Sequence, residues 1–161
     1  MIKLGRLLLI AVMSCMIASS CSDDDIDVKI TPINVPQVPL NIEDTKKEEL
    51  FLVDNEAELN QVFAGHAKEL PQIDFKNFKL LLIHGSHIKQ VKDITLDSFT
   101  KVDKGCYDML VSIKTDDKDA KCYWTAAYLV PQDFKTPICL FLSIDNKYIL
   151  PQGKWFYFKQ L

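Results

Sequence analysis

"CYDMLVSIKTDDKDAKCYWTAAYLV", residues 106–130, decides how this chain folds. Two runs rich in β-branched and aromatic residues, 106–114 and 122–130, flank the charged segment TDDKDAK. Such runs favour strands, and the segment between them has the Asp and Lys content of an exposed hairpin tip, although it lacks glycine. The reading is an antiparallel hairpin centred near Lys118. On that register Cys106 lies opposite Val130 and Cys122 opposite Lys114, more than roughly 20 Å apart at a rise of about 3.3 Å per residue. A disulfide tolerates a Cα separation of about 7 Å. Cys139, in the next run, reaches the Cys106 end but two strands away, about 9–10 Å. Three unpaired thiols are therefore expected, and an odd number cannot all pair within one chain.

The strand pattern continues on both sides. "NFKLLLIH" (77–84) holds four consecutive apolar residues, Leu80 to Ile83, as a strand covered on both faces requires. "VKDITLDSF" (91–99) alternates at Ile94 and Leu96, so one of its faces is wet. "ICLFLSI" and "KWFYFKQ" complete the set, divided by Asn146 and by Pro151-Gln152-Gly153. Earlier, Leu50 to Val53 suits a short strand, after which Asn55 and Glu58 have the spacing of a capping box. Leu59, Val62, Phe63, Ala67 and Leu70 share one face of a helix over 56–69, which Pro71 ends. One N-terminal helix followed by a succession of strands predicts an α+β domain over 48–161, the helix packed on a mainly antiparallel sheet of five to seven strands.

Residues 21–47 read as an acidic tether, with Pro32, Pro36 and Pro39 fixing extended backbone. The alternative is that 28–33 adds an edge strand to the body. Before the tether, Lys3 and Arg6 lead into an apolar run over 7–18, too short to span a bilayer that needs about 20 residues. Residues 1–20 have the charged start, apolar middle and small-residue end of a secretory signal peptide. Ala18, Ser19, Ser20 and Cys21 resemble a bacterial lipobox, which implies acylation at Cys21. Ser22, Asp23, Asp24 and Asp25 resemble the export tag of Bacteroidetes surface lipoproteins. That likeness implies a protein lipid-anchored in the outer membrane and exposed on the cell surface, touching the membrane through its anchor without crossing it.

The turn "VDNEAEL", the following helix, "PQIDF" and the later "WTAAYLVP" resemble the C-terminal domain of PrcB-like protease-complex accessory lipoproteins over about residues 50–145. The resemblance implies a non-catalytic domain that binds a protein partner, and it carries no catalytic residues. Composition agrees in what it excludes. The formal charge of −3 becomes −5 when Lys3 and Arg6 leave with the signal, and Arg6 is the only arginine. An acidic chain without guanidinium forks is not built to grip nucleic acid.

The competing class is a small hydrolase or metal-dependent enzyme using His84 and His87 of "HGSH", with His66 on the preceding helix and a thiolate as further ligands. The spacing matches no closed zinc motif. Ser86 lies in no nucleophile elbow. Asp108 and the acids of TDDKD lack the burial that raises a general acid's pKa, and the stretch lacks a calcium loop's glycine and terminal glutamate. No cofactor is expected. Trp124, Tyr128, Trp155, Phe156 and Tyr157 form either a sheet core or a binding platform.

Overall fold

The computed structural model describes residues 28–42, 49–102, 105–150 and 153–157. The elements in chain order are β1 (Thr31–Ile33), β2 (Glu49–Val53), α1 (Glu56–Val62), a 3-10 turn at Ala67–Glu69, β3 (Phe78–Val102), β4 (Cys106–Pro131), β5 (Ile138–Ile144), β6 (Lys147–Tyr148) and β7 (Lys154–Phe156). They form one mixed sheet of seven strands in the order β2-β3-β4-β5-β6, with β1 on β4 and β7 on β5. Strand accounts for 59% of the structure and helix for 8%. The α+β expectation is thus corrected: the class is mainly β, a single sheet carrying one helix of seven residues.

The error lay in the hairpin. TDDKDAK is not a tip; it sits within β4, which runs unbroken alongside β3 from Val102↔Cys106 to Phe78↔Pro131. The chain reverses instead between the paired Val102 and Cys106, and Gly105 there holds φ +69°. A three-residue hairpin loop calls for a left-handed residue, and glycine adopts that conformation without a Cβ clash. TDDKDAK has no glycine and offers only Asp, which tolerates that conformation less well. Its register is irregular: between His87↔Cys122 and Asp93↔Lys114, eight steps along β4 oppose six along β3. Extra residues of this kind kink a strand and increase its twist.

At this kink the long β3–β4 ribbon doubles back. Only residues 132–137 separate β4 from β5, yet β5 runs parallel to the start of β4, from Tyr107↔Ile138 to Ile113↔Ile144. The end of β4 must therefore return to its beginning. Tyr107 N donates to Pro137 O at 2.9 Å, and its ring lies 6.0 Å from that of Phe134. Leu81, Ile83, Trp124 and Tyr128 from one half of the ribbon share a buried core with Met109 and Val111 from the other half and with Leu140 and Leu142 of β5. Gly85 permits a close approach in this core, because a Cβ there would stand 2.5 Å from the Trp124 ring.

A second core covers the outer face of the first half. Leu80, Leu82 and Ala127 pack against Leu59, Val62 and Phe63, so the LLLI run is buried on both faces as its pattern predicts. The capping box is present in altered form: Glu58 N donates to Asn55 Oδ1 at 2.9 Å, while Glu58 Oε2 accepts from Asp54 N. The helix stops at Val62, short of the expected 69, because the chain turns through Gly65 at φ +88° and resumes only as the 3-10 turn.

Of the segment read as a tether, residues 28–42 belong to the fold. β1 pairs with β4 from Thr31↔Leu129 to Ile33↔Ala127, realising the edge-strand alternative. Val35 and Leu40 are buried beside the helix. Gln37 acts as a stand-in for a further strand residue, its amide donating to Thr125 O at 2.9 Å and accepting from Thr125 N at 2.8 Å. The signal segment, Cys21 and the Ser22–Asp25 tag lie outside the described residues. Among those described, no helix is long and apolar enough to cross a membrane.

Candidate functional site

The histidines do not converge. His84 and His87 are three residues apart on β3, so their side chains point to opposite faces. His84 is fully buried, with Nδ1 3.1 Å from Thr125 Oγ1 and its ring parallel to Tyr123. Burial holds its pKa below the ordinary imidazole value, a hydrogen bond with the Trp124 backbone opposing this in part. His87 Nδ1 accepts from Lys89 N at 3.1 Å, and His66 pairs with Glu69 at 2.9 Å beyond the helix. Among the described residues, no group of three or more His, Cys, Asp or Glu side chains stands together to hold a metal.

The aromatic candidates divide in two. Trp124 and Tyr128 are core residues; burial, assisted by the charge of Asp97, pushes the Tyr128 phenol up to about 12. Trp155 and Tyr157 are 47% and 71% exposed, with near-parallel rings whose centroids are 6.3 Å apart. They join a wider surface that the sequence reading missed. Because Tyr107, Met109, Val111 and Ile113 point into the core, Asp108, Leu110 and Ser112 face outward, as do Cys139, Phe141 and Ser143 on β5. β6 sets Tyr148, 58% exposed, beside Ser143, and β7 sets Trp155 beside Cys139.

A turn holds this surface in place. Asp145 and Asn146 both adopt positive φ, at 48° and 63°, which is the two-residue hairpin geometry that Asp and Asn tolerate best after glycine. The Asp145 carboxylate accepts from Thr115 N at 2.9 Å and from Thr115 Oγ1 at 2.7 Å, tying the β5–β6 turn to the ribbon's kink. Those two bonds lower its pKa. Ser112 links Asp97 of β3 to Ser143 of β5 through hydroxyl contacts. Gly153, at φ +69°, lies against Cys139 Sγ and buries it. Between Tyr148, Phe141 and Leu110 a hollow of about 360 Å³ opens, with Asp108 and Ser98 on its walls. The missed signal was the apolar residue at each outward position of β4 and β5, Leu110 and Phe141, which depends on knowing that those two strands are neighbours.

A second hollow, about 550 Å³, lies between β1 and residues 90–94 of β3 and reaches Cys122, Tyr123 and Thr125. Consecutive residues of both parities line it, so it is bounded by strand edges rather than by a strand face. Pro32 and the irregular register of β3 blunt those edges.

Fold and surface together define a small, mainly β domain whose one exposed aromatic strip, among the described residues, lies on the outer face of the β4–β5 layer. Comparison with known protein families, curated proteins and solved structures finds no match.

Proposed function

We propose that this protein is a lipid-anchored surface lipoprotein whose domain binds a protein partner without catalysing a reaction. The observation that carries the reading is the set of exposed residues Tyr148 and Ile149, on and just after β6, and Trp155 and Tyr157, on and just after β7, both strands at the edge of β5. Large rings left in water lose the roughly 25 cal/mol per Å² that burial returns, and contiguous patches of them mark interaction sites. Aromatic residues are also the commonest energetic anchors of protein interfaces. The lipobox resemblance supports a lipid anchor and the likeness of Ser22–Asp25 to an export tag supports surface exposure, while the likeness to PrcB-like accessory lipoproteins points to the same kind of role.

The test uses intact cells. Surface cross-linking with the full-length protein as bait should capture a specific partner, and Trp155→Ala combined with Tyr157→Ala should reduce capture at least tenfold without altering the thermal unfolding midpoint. Equal capture by the double variant would contradict the assignment of the surface.

A further inference from the structure

We infer that the hollow beside Tyr148 receives a basic side chain, lysine or arginine, presented by the partner; this rests on the partner-binding reading above. The walls combine apolar and aromatic residues with one charged group and one hydroxyl. Leu110 and Phe141 form the floor, Tyr148 stands at one side, and the Asp108 carboxylate and Ser98 complete the lining. Among the described residues Asp108 accepts no hydrogen bond and forms no ion pair. Asp108 is part-exposed, so its carboxylate is open to an incoming cation, and the rings beside it offer that cation an apolar wall.

Basic side chains fit each wall. The methylene stem of a lysine or arginine packs on Leu110 and Phe141, as such stems do on apolar surface. Its charged head then meets Asp108, and the face of the Tyr148 ring adds a cation–π attraction. An arginine would gain further by pairing its planar fork with both carboxylate oxygens. The chain's net charge of −3 favours encounter with a basic surface. A neutral or apolar group would cover Asp108 without pairing it, and an acidic group would be repelled.

The experiment titrates the isotopically labelled full chain, in detergent micelles, with N-acetyl-arginine amide, N-acetyl-lysine amide and N-acetyl-norleucine amide, following amide shifts by NMR. The basic probes should shift Asp108, Leu110, Phe141 and Tyr148, weaken at least fivefold in Asp108→Asn, and weaken with added salt; the norleucine probe should not compete with them. Basic probes that bind elsewhere, or that bind Asp108→Asn as well as the native chain, overturn the inference. Failure of the two readings is separable. Partner capture lost in Trp155→Ala but unchanged in Asp108→Asn sinks the basic pocket and keeps the partner. Probe binding at Asp108 with no partner captured from cells does the reverse.

Discussion

Replacing Gly85 with alanine tests the folded ribbon at a close contact in its core. Gly85 pairs with Trp124 across β3 and β4, and an added Cβ would stand 2.5 Å from Trp124 Cζ2 and 2.7 Å from Cε2. Carbon atoms rest about 3.5–4.0 Å apart, so the ring must retreat by roughly 1 Å. It has nowhere to go, because Trp124 is fully buried among the side chains of the opposite layer. Overpacking of this kind costs about 1–3 kcal/mol, and the entropy alanine removes from the unfolded chain returns about 0.5 kcal/mol. A net loss of about 0.5–2.5 kcal/mol is expected, which should lower the unfolding midpoint by several degrees. Denaturation followed by tryptophan fluorescence measures it. Trp124→Phe removes the atoms that clash, so the double variant should be more stable than the sum of the single losses by about 1 kcal/mol or more. A Gly85→Ala protein within about 0.5 kcal/mol of the native one, or strict additivity in the double variant, would refute the reasoning.

Three other outcomes are expected. Burial holds the His84 pKa below its unfolded value, so the native state takes up fewer protons than the unfolded chain; its contribution is fully present above about pH 6.5 and is lost as pH falls below that. Unfolding midpoints measured between pH 8 and 5 should therefore fall, and fall less in His84→Gln; identical profiles would remove the residue from the account. Among the described residues Cys106, Cys122 and Cys139 form no disulfide, so a maleimide should count three thiols after denaturation without reductant. In the native protein Cys122 should react first, since Cys106 and Cys139 are buried and burial also pushes the Cys139 thiol up. Cys21→Ala should release the protein from the membrane fraction, and alanine at Asp23, Asp24 and Asp25 should keep it there while reducing its cleavage by protease added to intact cells.

The legible parts of this fold were local. Asn55 and Glu58 marked the helix start, and Leu80 to Ile83 marked a strand buried on both faces, because capping and burial act over a few residues. Register was not local. TDDKDAK resembles a turn in composition, but a tight hairpin loop favours a residue at positive φ, and Gly105 at the end of the nearby VDKG adopts it more readily than Asp. That single displacement turned two predicted hairpin strands into parts of one strand and made β4 and β5 parallel neighbours. It also shifted the candidate surface. Trp155 and Tyr157 were found from their residue types alone, whereas Asp108, Leu110, Phe141 and Tyr148 meet only through long-range pairing. The expectation of free thiols rested on the displaced hairpin, so its geometric argument does not carry over: Cys139 pairs with Asp108 on the neighbouring strand, two residues along from Cys106.

Cross-strand NMR contacts in the labelled full chain test the doubled ribbon most directly. The pairings Leu82↔Ala127 and Thr95↔Ser112 predict strong backbone contacts at both sites, one on each side of the kink. Contacts between Ser112 and Trp124, which a hairpin turning near Lys118 would bring face to face, would contradict the fold and the surface built on it.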